Sequence, residues 1–174
     1  LKSLGHKASK PAVSDYLDWF EDAYVLFTVR IFDASLKRAN VNPKKIYCVD
    51  HGLVTSVSSG ILINSGHLLE NLVFTALRRT TPDIFYYRTK SGQEVDFVCR
   101  RRDGSRMLVQ VCESMVDPQT KKREVSALTD AMSELGLRHG TIVTRGETDR
   151  ISVDAGTIEV TPAWRFLLDL DDGA

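Results

Sequence analysis

Apolar positions along the chain recur with two different periods, and the changes between them divide the sequence into elements. Behind Ser9 and Pro11, residues Val13, Tyr16, Leu17, Phe20 and Tyr24 follow helical spacing with acidic and polar residues between them, which predicts an amphipathic helix. Val25 to Phe32 is β-branched or aromatic and predicts a strand. Lys45 to Asp50 predicts a second, shorter strand, and the segment between the two reads as a long hairpin tip. His51 to Ser65 carries Gly and Ser around one apolar patch, Ile61 to Ile63, and reads as a link. A domain boundary is expected there, dividing the chain into residues 1–58 and 59–174.

Beyond the link the pattern is more regular. Gly66 to Arg79 sets Leu69, Leu72, Val73, Ala76 and Leu77 on one side of a helix, with Glu70 at the margin of that stripe. Ile84 to Thr89, Glu94 to Arg101 and Arg106 to Ser114 predict three antiparallel strands, joined around Ser91-Gly92 and Asp103-Gly104. Asp117 caps a following helix with Pro118 at its first position; Val125, Leu128, Met132 and Leu135 mark its buried face, and Gly136 ends it. Gly140 to Arg145 predicts a fourth strand, which a helical crossover places parallel to an earlier one. Arg150 to Val153 and Thr157 to Thr161 predict a last hairpin, and Ala163 to Leu170 a closing helix. The fold class expected is α/β with a mixed sheet.

Composition narrows the setting. The 174 residues are 43% hydrophobic, enough for one core or for a core with a small satellite. Lys plus Arg and Asp plus Glu both number 23, so any argument for nucleic acid must rest on local clusters rather than on net charge. Cys48, Cys99 and Cys112 are odd in number, far apart and set in apolar runs, which reads as reduced thiols rather than disulfides or a zinc set. No bilayer-length apolar stretch and no signal-peptide pattern occurs, so the expected location is the cytoplasm. The chain begins at Leu1 without Met and enters the fold within a few residues, which suggests a fragment of a longer protein.

The chemistry centres on one residue. Asp96 is a charged side chain inside the apolar run Val95 to Val98, and burying a carboxylate without a partner is expensive. A metal, a cation such as Arg88 or Lys90, or a set of hydrogen bonds would account for it. The order helix, three strands, helix, strand is similar to that of restriction-endonuclease-like cores. In that scheme acids from the first helix and second strand hold a divalent cation, and an acid-x-lysine pair on the third strand completes the site, because residues two apart share a face. Glu70 and Asp96 fit the first two places and would form the metal pair, with Mg²⁺ the cation such a site takes. Gln110 and Cys112 stand where the acid and lysine belong: Gln offers oxygen without charge, and Cys cannot replace an ammonium beside phosphate. The catalytic set is thus degenerate, and Lys90, Lys121 or Lys122 would have to supply a lysine from elsewhere.

Gly66-His67-Leu68-Leu69-Glu70-Asn71, Tyr86-Tyr87-Arg88-Thr89, Gly92-Gln93-Glu94-Val95-Asp96-Phe97, Val109-Gln110-Val111-Cys112 and Thr120 with Arg123 and Glu124 together resemble the C-terminal domain of unknown function of prokaryotic AAA+ ATPases. Tyr16-Leu17, Pro43-Lys44-Lys45-Ile46-Tyr47 and Asp50-His51-Gly52-Leu53 resemble the winged-helix connector before it. The resemblance implies a restriction-endonuclease-like core behind a small winged-helix-like domain, partnered by an N-terminal AAA+ ATPase domain of the same chain. ATP would bind only in that part, since no Gly-rich phosphate loop occurs here. Candidate nucleic-acid contacts are Lys37, Arg38, Lys44 and Lys45 at the first hairpin tip, and Arg100, Arg101 and Arg102, with Arg106, at the second. Two functions follow: a non-catalytic DNA- or protein-binding module of an ATPase, or a metal-dependent DNA endonuclease with a degenerate site. An open sheet edge adds self-association as a third route.

Overall fold

The structure is a computed structural model that describes residues 10–57 and 64–171, without the side chains of residues 10, 11, 36–38, 57 and 171. Its order is α1 (Lys10–Asp22), β1 (Leu26–Ile31), α2 (Leu36–Val41), β2 (Lys45–Cys48), α3 (His51–Val57), α4 (Ser65–Thr80), β3 (Ile84–Arg88), β4 (Glu94–Arg100) and β5 (Arg106–Val111). There follow α5 (Pro118–Leu135), β6 (His139–Thr144), β7 (Asp149–Val153), β8 (Gly156–Pro162) and α6 (Ala163–Asp171). The strands form one mixed sheet in the order β2-β1-β3-β4-β5-β6-β8-β7. No helix among the described residues is long and apolar enough to cross a membrane.

The second half forms as its pattern predicts. β3, β4 and β5 pair antiparallel, and α5 carries the chain over so that β6 lies parallel to β5. Asp117 accepts from the Thr120 N–H at the start of α5, and Gly136 ends the helix in the left-handed conformation at φ 67°, which a side chain would strain. On one face of the sheet, Val73, Phe74 and Leu77 of α4 pack with Phe97, Cys99, Val109 and Phe166. On the other, Ala127, Leu128, Ala131 and Met132 of α5 pack with Val98, Leu108, Ile142 and Ile158.

The first half departs from its pattern in three places. The hairpin tip between β1 and β2 contains the short helix α2, and His51 begins α3 where a link was expected; Ile61 to Ile63 lie outside the described residues. The β1–β2 hairpin does not stand apart: β1 runs parallel to β3 through Arg30↔Phe85 and Ile31↔Tyr86, so both strands extend the one sheet. Val29, Ile31 and Tyr47 accordingly join the α4-side core. On α1 the half-buried positions are Ala12, Val13, Leu17 and Glu21, while Tyr16 and Phe20, and Tyr24 just beyond the helix, all expected on the inner face, are exposed. Glu21, on the inner stripe, accepts through Oε1 from both the amide and the hydroxyl of Thr28 on β1.

Two features position the candidate site. Phe85 pairs with Val98 but Tyr87 with Val95, so Asp96 and Phe97 together oppose the single residue Tyr86. Such a bulge re-aims side chains, and here it lets Asp96 reach the α4 side beside Phe97 despite the ordinary alternation of a strand. The second is the anchoring of β2, which among the described residues pairs only with β1. Asn71 of α4 accepts from the Cys48 N–H at 2.8 Å and donates to the Cys48 carbonyl at 2.9 Å, and the Tyr47 ring stacks on Phe74 with centroids 4.3 Å apart. Asn71→Ala should lower the unfolding free energy by about 2–4 kcal/mol, because it leaves two buried backbone groups unpaired. Urea denaturation measures this, and a loss under about 0.5 kcal/mol would show that the tie is not needed.

Candidate functional site

β2 delivers Lys45 and Tyr47 to the α4 side of the sheet. Lys45 Nζ lies 3.0 Å from Glu70 Oε1, 3.0 Å from Glu94 Oε1 and 2.8 Å from Asp96 Oδ1. Tyr47 Oη donates to the same Glu70 oxygen at 2.6 Å. The outer oxygens have partners of their own: Glu94 Oε2 is 3.2 Å from Arg88 Nη2, and Asp96 Oδ2 accepts from the Val111 N–H at 2.9 Å. The cluster forms one wall of a groove of about 650 Å³ whose apolar side includes Leu26, Val54 and Leu68.

Three carboxylates meet one ammonium here, so negative charge is in excess. Burial alone would make Lys45 easier to deprotonate, but Asp96, Glu70 and Glu94 together outweigh it and hold the ammonium charged. Burial first, then the charge and hydrogen bond of Glu70, keep Tyr47 in its neutral phenol form. Asp96 is pushed up to about 6 by burial and by Glu70, and Lys45 and the Val111 amide pull it only part of the way back.

The expected site residues separate into those the fold brings together and those it does not. Glu70 and Asp96 do converge, but their shared cation is Lys45; Arg88 pairs with Glu94, and the Lys90 amide is bonded to Glu134. Lys45, expected at a basic hairpin tip, is the first residue of β2 and turns into the acidic cluster, because only there does its charge find three carboxylates. Lys44 is half-buried, and the side chains of Lys37 and Arg38 lie outside the described residues.

Gln110 and Cys112 face the opposite layer. Gln110 accepts from the Asp96 N–H at 3.1 Å and donates to Glu124 of α5 at 2.7 Å, and Cys112 packs within the α5-side core. The arginine tip belongs to the far end of β4, roughly 17 Å from Asp96 at about 3.3 Å per residue. There Arg100 pairs with Asp83 at 3.9 Å, Arg101 contacts the Met107 sulfur, Arg106 donates to the Leu135 carbonyl, and Arg102 is exposed. Lys121 pairs with Asp149 at 3.0 Å and Lys122 is exposed, so neither supplies the lysine missing from β5.

Tyr47, Glu94 and Glu124 were not singled out by sequence spacing. The available signal was the reversed polarity of β2, in which Lys45 points inward while Ile46 is 49% exposed. A restriction-endonuclease-like site implies a divalent cation at Glu70 and Asp96, and the residues present do not fit one. Lys45 Nζ fills the point both carboxylates face, Gln110 is turned away, and among the described residues no group of three or more His, Cys, Asp or Glu is arranged to hold a metal ion.

Comparison with known proteins adds a family. Residues 65–166, more than half of the chain, match the family described as domain of unknown function (DUF4143), and residues 1–62 match domain of unknown function (DUF8612). An uncharacterized protein of Methanocaldococcus jannaschii, MJ1544, is 32% identical over 178 residues, covering 97% of this chain and 38% of that protein. The chain thus spans less than half the length of the curated relative it matches. Among solved structures, a half-complex from the tetradecameric assembly of Thermococcus gammatolerans McrB AAA+ hexamers with bound McrC is similar at a TM-score of 0.43 and 12% identity, covering 64% of this chain and 34% of that one.

Two outcomes test the electrostatics. A carboxyl with a folded pKa above its unfolded value stabilises most below the unfolded value and loses that contribution as pH rises through the folded one. The unfolding free energy of the native protein relative to Asp96→Asn should therefore fall by roughly 2–3 kcal/mol between pH 4 and pH 7 in urea denaturation; a flat or rising difference contradicts the environment described. Burial pushes both Cys99 and Cys112 up to about 12, with Glu124 and Glu147 adding to the effect at Cys112. Iodoacetamide at pH 8 should leave both unmodified in the folded protein and alkylate both in denaturant, as read by peptide mass spectrometry.

Proposed function

The chain belongs to the family described as domain of unknown function (DUF4143), a domain found in AAA-ATPase-associated proteins, and we propose that it serves an AAA+ ATPase as a nuclease-like but non-catalytic module that binds DNA or protein. The observation that carries this reading is the fate of β5. Gln110 and Cys112, which stand where a hydrolytic site needs an acid and a lysine, are turned away from Glu70 and spent on α5. Without charge from β5, activation of water beside a phosphate would fall to Lys45, whose ammonium is already engaged by Glu70 and Asp96.

The order α4-β3-β4-β5-α5-β6 supports a restriction-endonuclease-like core beginning near residue 59, and the segment before it is read as a winged-helix-like connector that lends two strands to the sheet. In this reading the ATPase and its ATP site lie elsewhere in a longer protein. Charge sets where the module could meet DNA: the groove with three carboxylates to one lysine repels phosphate, so contacts fall to Lys37, Arg38 and Lys44 at one end and to Arg100, Arg101 and Arg102 at the other. A protein partner carrying cationic side chains suits the groove itself.

One observation favours the second reading, a divalent-metal-dependent DNA endonuclease with a degenerate site: Lys45 brings to Asp96 the kind of side chain that β5 lacks. Incubation with supercoiled plasmid in the presence of Mg²⁺ or Mn²⁺ separates the two. Intact plasmid is expected; nicking that disappears in Asp96→Ala would establish the endonuclease instead. Fluorescence anisotropy with a labelled duplex should show salt-dependent binding that weakens when Lys37, Arg38 and Lys44 are neutralised. Absence of DNA binding at low salt would assign the module to a protein partner.

A further inference from the structure

We infer that the uncovered aromatic face of α1 docks an amphipathic helix whose apolar stripe is bordered by lysine or arginine. The surface is separate from the acidic groove and from the basic tips, so the inference stands whether the module binds DNA or protein.

At about 3.6 residues per turn, α1 divides into three faces. Val13, Leu17 and Glu21 turn inward, and Glu21 is bonded to Thr28 of β1. Tyr16, Trp19 and Phe20, with Ala23 just beyond the helix, fall at i, i+3, i+4 and i+7 and form a second apolar stripe that stands open to solvent. Asp15, Asp18 and Asp22 run along one border of that stripe, on the Trp19 side, and all are exposed. The described side chains of α1 include no cation.

Two observations set the stripe apart from scattered surface hydrophobics. The Tyr16 and Trp19 rings meet edge to face at 88° with centroids 5.3 Å apart, so they are packed against each other before any partner arrives. Tyr24, where the helix ends, takes the left-handed conformation at φ 55°, while the N–H groups of Tyr24 and Val25 donate to the carbonyls of Glu21 and Phe20. Glycine takes that conformation freely and an L side chain does not. The Tyr24 ring is nevertheless 70% exposed and touches Phe27 edge-on with centroids 6.4 Å apart, so burial recovers little of the strain. Rigid tyrosine and tryptophan at a surface are the side chains from which interfaces draw most of their binding energy.

Spacing and charge define the partner. A stripe at i, i+3, i+4 and i+7 matches the repeat of another helix laid along it. A second copy of α1 fits poorly. In symmetric antiparallel pairing like borders meet, so the aspartates of one copy face those of the other. In parallel pairing the acidic border meets the side of α1 that β1 occupies. A basic border on a different helix answers the aspartates instead.

The test is fluorescence anisotropy of a labelled synthetic peptide of about 18 residues, long enough to form a helix, with leucines at the same spacing and lysines on both borders. The native protein should bind it saturably, and a peptide with glutamates for the lysines should not bind. Trp19→Ser/Phe20→Ser should weaken binding about tenfold or more. Asp15→Lys/Asp18→Lys/Asp22→Lys should exchange the preference, losing the lysine peptide and gaining the glutamate one. All of these positions are exposed, so both variants should unfold at the native urea concentration. Should the aromatic variant fail to fold, the charge exchange decides. The inference is overturned if the lysine peptide does not bind, or if it binds either folded variant as tightly as the native protein. It is also overturned if sedimentation velocity shows a dimer that Trp19→Ser dissolves, which would make a second copy the occupant. Duplex DNA enters no part of this readout, so failure of the DNA-binding reading and failure of this one remain distinguishable.

Discussion

A carboxylate in the interior of a sheet costs several kcal/mol unless something answers its charge, and most of the architecture around β4 follows from the answer given to Asp96. The bulge opposite Tyr86 turns the side chain to the α4 layer, the end of β5 supplies the Val111 amide, and the edge strand β2 supplies an ammonium. Each contribution constrains another element. Lys45 can reach Asp96 only if β2 is held against α4, and the bonds of Asn71 to Cys48 with the Tyr47–Phe74 stack perform that holding. The acidic cluster is thus as much a joint between chain segments as a chemical centre.

The same network gives Gln110 a role in joining the two layers of the fold. Gln110 still touches Asp96, but through the backbone amide, and its own amide group is committed to the buried Glu124. That bridge ties the sheet to α5 and gives the position a packing and hydrogen-bonding role.

How much of this was legible beforehand depended on the range of the interaction. Asp117, Pro118 and Gly136 announce α5 because capping is settled within a few residues, and the Asp103-Gly104 turn fixes the β4–β5 hairpin for the same reason. Asp96 was recognisable as anomalous because a charge in an apolar run violates a local rule. Its partner was not, since Lys45 lies 51 residues away and pairing across a sheet leaves no mark in local periodicity. The lysine sat in a polar, cationic stretch that reads as a solvated tip, and only the parallel pairing of β1 with β3 brings that stretch inward. The aromatic positions of α1 misled in the other direction, because hydrophobic spacing predicts a face without saying whether the fold provides a surface to cover it.

The continuity of the sheet bears on how this protein can be dissected. Two family matches meet between residues 62 and 65, and that seam invites separate expression of the two parts. A cut there would strip β1 from β3 and leave a central strand with an open row of amides and carbonyls, the arrangement that recruits strands from other molecules. It would also leave Glu70 and Asp96 side by side with neither Lys45 nor Tyr47 between them. The sequence seam is not a mechanical one, and the smallest piece that preserves both the sheet edge and the charge balance crosses it.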